Sequence, residues 1–364
     1  MPTVRDVAKD AGVSPTTVSF VLNGRAQEMH IGEAATARVR ESAAKLGYDR
    51  NYHARALRRG RSNVLGLVMN MPLHNRWWNM IAAGVQEAAN AAASNLLIVG
   101  PTANRLARTT GEQCLREKQV DALVCIGGYN APDPANAGNN PRAVVIYGDV
   151  APYPWIAFDA APGLEAAVAH LANLSHRSLA YLGKRDGRKI MLKHRLDAVR
   201  KAARQHKVDL QEVFVAAEER QYSQDFNYHL KHDYEQLRAL PDSPGAATAV
   251  LCYNDTLAMA LVNLMRERGV RVPEDLSVVG FDDMHATHCL PALTTVSHML
   301  PELGAKGVEV ALKLVEDAPL PSGKVEVAAE LVVRESTAPP RRKPGRRSCS
   351  SSRRSSAQES RRRT

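Results

Sequence analysis

Over the first fifty residues apolar side chains recur at intervals of three and four. Val4, Val7, Ala8 and Ala11 share one helical stripe, and Val18, Val21 and Leu22 share a second. Between the stripes, Gly12-Val13-Ser14-Pro15 carries a stop and a start: a glycine that can turn left-handed, Ser at an N-cap, and Pro at the first helical position. Thr3 and Asp6 open the first helix like a capping box, and Asn23-Gly24 closes the second. Two short amphipathic helices around a glycine turn predict a helix-turn-helix. Its second helix shows small side chains outward, a shape that fits the major groove of DNA. A helical hairpin in a core gives the same pattern, so the rest of the chain decides between them. After a loop over 25–32, a third helix is predicted over 33–46, with Val39, Ala43 and Leu46 on one face and Gly47 as its stop.

Residues 51–60 form a separate motif. Asn51 can cap it and Gly60 can end it, but it is too short to be a stable helix alone. Ala54, Ala56 and Leu57 are apolar among His53, Arg55, Arg58 and Arg59. That pattern suits a segment that folds on DNA, with Leu57 as a wedge between base steps and the arginines on phosphate in the minor groove. A charged linker is the alternative reading.

From Asn63 the period changes. Strands are predicted over 64–69, 95–99, 122–126, 143–147, 155–158, 179–182, 213–216, 249–252 and 277–280. Helices fall between them, over 77–93, 105–118, 163–174, 192–206 and 257–269, and segments 301–316 and 326–334 complete both halves. Alternation of this kind implies doubly wound parallel sheets, and there are too many units for one. Ligands of such folds sit at the carboxyl ends of strands. From Pro339 the chain is Pro-, Arg- and Ser-rich and cannot build a core, so it is expected to be disordered. It either adds non-specific attraction to phosphate or has no specific role. The predicted fold class is an all-α helix-turn-helix head plus an α/β core of two doubly wound parallel-sheet subdomains. The predicted domains are a DNA-binding head (1–48), a hinge (49–62), an effector-binding and dimerisation core of two interleaved subdomains (63–338) and a basic tail (339–364).

Charge sharpens the division. Residues 1–62 hold 11 Lys and Arg against 6 Asp and Glu, a net +5. Residues 63–338 hold 27 against 31, a net −4, and the tail holds 10 against 1, a net +9. A basic small domain is the electrostatic footprint of nucleic-acid binding. No apolar run is long enough to span a bilayer, and Arg5, Asp6, Lys9 and Asp10 interrupt any export-signal pattern. The five cysteines are an odd number without close pairs, which suits a reducing cytosol. A cytoplasmic protein with no membrane partner is expected. No nucleophile–base motif, phosphate-binding loop or metal spacing occurs, and Gly127-Gly128-Tyr129 lacks the dinucleotide fingerprint. An enzyme is therefore not expected, nor any cofactor or metal.

Residues 1 to about 338 resemble the LacI/GalR family of bacterial transcription regulators. The resemblance rests on Thr3-Val4-Arg5-Asp6-Val7-Ala8, Gly12-Val13-Ser14, Thr17-Val18-Ser19 and Val21-Leu22-Asn23-Gly24 in the head. Leu46-Gly47-Tyr48, Asn51 and Ala54-Arg55-Ala56-Leu57 match the family's third-helix end and hinge. Asn254-Asp255, Arg271-Val272-Pro273-Glu274-Asp275, Val278-Val279-Gly280-Phe281-Asp282-Asp283, Leu293-Thr294-Thr295-Val296 and Glu330–Thr337 match its core. The resemblance implies a repressor that is a homodimer or a dimer of dimers, on a near-palindromic double-stranded DNA operator. It implies base reading by Pro15, Thr16 and Phe20. Thr3, Ser14, Thr17, Ser19, Asn23 and His30 stand where members touch the backbone or flanking bases, which fixes register. In the hinge it implies DNA contacts by Asn51, Ala54, Arg55, Leu57 and Arg58. Phe20 stands where many members carry an Arg that grips guanine, so specificity is expected to lean on methyl contacts and DNA shape. Gly32, Ala35 and Thr36 replace the usual Ser, Thr and Arg at the start of helix three, removing a cap and a phosphate-seeking cation, and Arg50 replaces the usual hinge Pro.

For the core the resemblance implies a periplasmic-sugar-binding fold holding a small-molecule effector. It places Arg195 and Asp282 as the ligand grip, Asn254 and Asp159 as further polar contacts, and Trp77 and Trp78 as paired aromatics on the first cleft helix. Arg, Asp and Asn converging at strand ends favour a sugar or polyol. Lys189, Ile190, Met191, Leu192, Lys193 and His194 crowd the loop before Arg195, and Met69 and Met71 end the first strand. A mouth of that kind suits a larger or anionic effector such as a sugar phosphate. Alternatively, the cleft is vestigial and a protein partner controls the regulator.

Overall fold

The computed structural model describes residues 2–48, 61–70, 76–101, 106–136, 142–187, 189–190, 192–217, 226–240, 247–320 and 324–341. The hinge residues Asn51, Ala54, Arg55, Leu57 and Arg58, together with Met71, Met191 and nearly all of the tail, lie outside the described residues. The chain divides into two compact units: residues 1–64 with 114–121, and the remainder.

The head holds α1 (Val4–Ala11), α2 (Pro15–Leu22) and α3 (Glu33–Lys45). Thr3 forms the capping box, its hydroxyl and backbone N–H both donating to Asp6 while Asp6 N–H returns to its oxygen. Gly12, at φ 66°, ends α1 in the left-handed conformation that suits glycine. Ser14 caps α2 by accepting from Thr17 N–H at 3.0 Å. α3 starts at Gly32 without a side-chain cap, as the substitution there implies. The apolar stripes meet: Val7, Ala8, Ala11, Val18, Val21, Val39 and Ala43 form one buried cluster. Three non-local polar contacts add to it, from Ser42 Oγ to Val7 O, from Arg38 to Ala11 O, and between Lys45 and Asp10.

The α/β core has two sheets. The first runs in the order β12 (Lys324–Ala328), β5 (Trp155–Asp159), β4 (Ala143–Ile146), β3 (Ala122–Ile126), β1 (Val64–Val68), β2 (Asn95–Val99). The pairings of β1 with β3, β3 with β4, β4 with β5 and β12 with β5 are all parallel. The second sheet runs β13 (Glu330–Val332), β11 (Thr294–Ser297), β10 (Ser277–Asp282), β9 (Ala249–Cys252), β6 (Ser178–Asp186), β7 (Lys189–Ile190), with β8 (Asp209–Ala216) also paired to β6. It is parallel except at β13 and β7.

The helices are α4 (Arg76–Ala91), α5 (Ala107–Arg116), α6 (Ala161–Asn173), α7 (Lys193–Gln205), α8 (Phe226–Arg238), α9 (Asp255–Glu267) and α10 (Leu300–Val315). α4 and α10 pack with β1, β3, β4 and β5 in one core cluster. α6 and α7 cover one face of the second sheet and α8 and α9 the other. The chain passes between the halves after β5, after β11 and after β12, so neither half is continuous in sequence. Four departures from the sequence expectation stand out. α8 is an added helix, β7 lies in the expected loop before Arg195, β11 is a strand of the second sheet, and the late segment over 326–334 is divided between β12 of the first sheet and β13 of the second. Among the described residues no helix is long and apolar enough to cross a membrane.

Candidate functional site

In the head, α2 turns Val18 and Val21 into the core and leaves Pro15 and Thr16 exposed. Thr17, Ser19 and Phe20 are half-buried. Several predicted contact residues already have local partners. Ser14 Oγ lies 2.9 Å from Thr17 Oγ1 as well as capping the helix, and Asn23 Nδ2 donates to Ser19 O at 2.6 Å. Thr3 is engaged with Asp6, whose carboxyl these bonds hold below its ordinary range. The Arg25 guanidinium lies 5.5 Å from the Phe20 ring centroid and is forked onto Glu28. His30 is exposed in a left-handed conformation, φ 51°. The exposed first turn of α2 therefore presents the Thr16 hydroxyl and the Pro15 ring to solvent.

In the core, the chemistry gathers at the carboxyl ends of strands. β10 ends on Phe281-Asp282, and both Asp282 and Asp283 have positive φ, 108° and 56°. α7 carries Arg195, 7% exposed. Its guanidinium lies 3.7 Å from the Phe281 ring centroid, donates to Tyr253 O at 3.2 Å, and sits 3.8 Å from Asp282 Oδ1. Between these two charged groups stands His298, the residue after β11. Its Nε2 accepts from Arg195 at 3.2 Å, and its Nδ1 lies 3.1 Å from Asp282 Oδ1. Phe158, Phe281 and Trp77 surround the imidazole with ring centroids at 4.2, 4.9 and 6.0 Å. Tyr147, the residue after β4, lies 4.9 Å from Trp77.

Among the described residues, Arg195 Nε, Tyr147 Oη and Asn70 Oδ1 are buried in this region without a hydrogen-bond partner. His298 Nδ1 has Asp282 Oδ1, at 3.1 Å, as its polar neighbour. Burial pushes the Tyr147 phenol well above its ordinary range, and both Arg195 and Asp282 act on it. Burial also lowers His298 against the pull of Asp282. Behind the site, the buried Asp255 accepts from Thr295 Oγ1 at 2.6 Å and Met284 N–H at 2.9 Å. Desolvation, then repulsion from Asp282, raises its carboxyl to about 7. A Cβ at Gly280 would lie 2.2 Å from Asp255 Oδ1, so only glycine admits this carboxylate. Arg334 holds Asp283 at 2.7 Å.

The structure thus brings together Arg195, Asp282 and Trp77. Trp78 packs edge-on against Trp77 at 4.7 Å and joins the apolar cluster. Asn254 and Asp159 also make local bonds at helix starts. Asn254 Oδ1 caps α9 by accepting Leu257 N–H, and Asp159 Oδ1 accepts Ala161 N–H at the start of α6. Each oxygen is engaged by local backbone. Met69 is buried in the first sheet's core, and Lys193 pairs with Asp197 at 2.7 Å, so neither lines the cleft as a free group. Sequence reasoning missed His298, Tyr147, Tyr253, Phe158 and Phe281. All sit at or beside the carboxyl end of a strand, which is the signal that finds them.

Residues 3–51 match the model for bacterial regulatory proteins of the lacI family, and residues 168–337 match a periplasmic binding protein-like domain. The HTH-type transcriptional regulator DegA of Bacillus subtilis is 30% identical, over 93% of this chain and 98% of its own. The HTH-type transcriptional repressor PurR of Photobacterium profundum is 28% identical, over 92% and 98%. The crystal structure of a lac repressor dimer bound to operator and the anti-inducer ONPF superposes with a TM-score of 0.69 at 24% identity, covering 93% of this chain and 99% of that one.

Proposed function

The chain belongs to the LacI family of bacterial regulatory proteins, a family of transcriptional regulators and not of enzymes, and from that premise we propose that it is a homodimeric repressor whose hold on a near-palindromic operator is altered by a small polar effector in the core cleft. One observation carries the effector half of this reading. Arg195, His298 and Asp282 meet inside an aromatic enclosure at strand ends, with buried polar atoms nearby that lack protein partners. Buried polar groups are normally satisfied, so orphans at a strand-end cleft suit a ligand that presents hydroxyls, such as a sugar or sugar derivative.

The DNA half is supported by the capped α2, which shows Pro15 and Thr16 outward. Ser14, Thr17, Ser19 and Asn23 set register around it, and Asn51, Ala54, Arg55, Leu57 and Arg58 of the hinge complete it on DNA. Dimerisation is supported by exposed apolar groups: Leu97 and Ile98 on the edge strand β2, and Leu290 in the second half, 76% exposed. The regulator acts in the cytoplasm.

Selection of bound DNA from a random pool gives the operator and its symmetry. Titration of that complex with a panel of sugars and sugar derivatives then finds the effector. Arg195→Ala and Asp282→Ala keep operator affinity and lose the response. Leu57→Ala weakens operator binding and reduces bending. A selected site without two-fold symmetry overturns the DNA reading. Absence of any response across the panel overturns the effector reading in favour of control through a protein partner.

A further inference from the structure

Arginine carries only N–H donors. The 3.2 Å contact between Arg195 Nη2 and His298 Nε2 therefore fixes the imidazole. Nε2 accepts with its lone pair, and the ring proton lies on Nδ1, 3.1 Å from Asp282 Oδ1. In this state His298 is a neutral bridge between a guanidinium and a carboxylate that lie 3.8 Å apart. The three groups together carry no net charge.

The surrounding groups leave that balance in place at pH 7.5. The other imidazoles that feel Arg195 and Asp282 are His194 and His285, and burial lowers the pKa of both. Asp283 is paired with Arg334, and Asp255 on α9 is bonded to Thr295 and Met284. Asp159, after Phe158, accepts from Ala161 N–H. β4 contributes the Tyr147 phenol, and α4 contributes Trp77 with Arg76 one residue before it.

We propose that His298 sets the charge selectivity of the cleft: as a neutral Nδ1–H imidazole it lets Arg195 and Asp282 satisfy each other, so the site admits an uncharged polar ligand and refuses an anion. The proposal rests on reading this cleft as the effector site. An uncharged ligand meets the Arg195 Nε–H and the Tyr147 hydroxyl, both without protein partners, and leaves the bridge intact. An anion has to displace the imidazole from Arg195 while Asp282 stays beside the same guanidinium. Two negative charges then share one positive charge in a desolvated site, an arrangement that burial makes costly. Admission of an anion becomes favourable only when His298 takes a proton from water. Nε2 then becomes a donor and releases Arg195, and the cluster charge rises by one.

Two measurements test this without knowledge of the natural effector. The first is long-range 1H–15N NMR of the imidazoles of the full chain, with the His298 signals assigned by their loss in H298Q. The expected state at pH 7.5 is the neutral Nδ1–H tautomer. An Nε2–H tautomer or an imidazolium overturns the proposal. The second is calorimetric titration with sulfate, whose charge is constant between pH 5 and 8. In the wild type, saturable binding is expected to be absent at pH 8 and to strengthen on acidification by at most about tenfold per pH unit, the limit for uptake of one proton. Glutamine keeps an acceptor for Arg195 and a donor for Asp282 but cannot be protonated, so H298Q is expected to refuse sulfate at every pH. Sulfate binding to the wild type at pH 8, no binding at pH 5.5, or an unchanged acid response in H298Q overturns the proposal. H298N replaces H298Q in both measurements if the latter does not fold. Neither readout involves DNA, so a failed operator response to neutral sugars counts against the effector reading and leaves these outcomes separate.

Discussion

Gly304→Ala is expected to destabilise the α/β core by about 1–2 kcal/mol, because α4 and α10 cross with their backbones in contact. A Cβ on Gly304 would lie 2.2 Å from Ile81 O and 2.7 Å from Val85 N, and one on Gly84 would lie 1.9 Å from Pro301 O. Ordinary contact begins at 3.4 Å, and the obstructing atoms are backbone, so no side chain can swing aside. The helices have to part by more than an ångström along a seam where Ile81, Val85, Leu300, Leu303 and Val308 are all buried. Overpacking of this kind costs about 1–3 kcal/mol. With backbone as the obstruction the cost falls at the upper end of that range, about 2–3 kcal/mol, and replacing a helical Gly by Ala returns up to about 1 kcal/mol, which leaves about 1–2 kcal/mol.

The same parting reaches the cleft. Trp77 is the second residue of α4, and α10 begins two residues after His298. Spreading the helices therefore separates Trp77 from the imidazole, whose ring centroids lie 6.0 Å apart. Urea unfolding followed by circular dichroism measures the first effect, and native-state tryptophan emission measures the second. Gly100→Ala is the control, since that core glycine is outside the left-handed region and has only Met69 O, at 4.0 Å, near its Cβ position. Wild-type stability with unchanged emission in Gly304→Ala would refute the reasoning.

Three further outcomes are expected. Ser14→Ala removes the cap that accepts Thr17 N–H and lowers head stability by about 1 kcal/mol, read by thermal unfolding, while Ser14→Thr retains most of it. Asp233→Asn breaks the Lys184–Asp233 pair, 2.8 Å long with side chains 4% and 0% exposed, and costs about 3 kcal/mol in urea unfolding, whereas the double change Lys184→Met with Asp233→Leu lies closer to wild type. If the double variant is as unstable as the single one, the pair is not the cause. Burial lowers the pKa of His170, His176, His194, His285 and His298, so below the ordinary 6.5 the unfolded chain takes up more protons than the folded one. Their contribution to stability is full above 6.5 and is lost as pH falls through the depressed values. Asp255 has the opposite sign between 3.8 and about 7, where its folded form keeps a proton the unfolded chain has released. With five groups against one, the urea midpoint is expected to fall between pH 7 and 5.5, less steeply in His176→Gln; a midpoint that rises over that range contradicts the assignment.

How much the sequence reveals depends on whether the deciding contacts are local. The head was legible because its signals lie within four residues of one another: Thr3 with Asp6, Gly12, and Ser14 with Thr17. The alternating core strands were legible for the same reason. α8 was not, because its chain over 226–238 is polar and buries Asp233, a residue that makes sense only beside Lys184 on β6. The cleft divides similarly. Arg195 and Asp282 follow from the family resemblance, but His298 meets Arg195 from 103 positions away, and its one local mark is its place just after β11, a strand the sequence reading did not predict. Asn254 and Asp159 show a local role that the resemblance does not bring to mind. Each lies two or three residues before a backbone N–H at a helix start, and one side-chain oxygen accepts from it.

The placement of His298 also bears on how a ligand can act at a distance. A ligand shifts a conformational equilibrium only through contacts that differ between the two states. Residues that belong wholly to one half of the core move with it and keep their mutual distances. His298 does not belong to one half. It lies where the chain leaves β11 of the second sheet and, past Met299 at φ 50°, enters α10 on the first. Phe158, 4.2 Å from it, lies where the chain leaves β5 for α6, a second crossing. Arg195 and Asp282 belong to the second half, and Trp77 and Tyr147 to the first. A rotation of the halves about these crossings changes the distance from Trp77 to Arg195 while the bridge through His298 turns with the hinge itself. On the proposed reading, a ligand seated between them makes contacts that differ whenever the halves change their relative rotation, and the residue proposed to set its charge selectivity stands on one of the chain crossings about which they would turn.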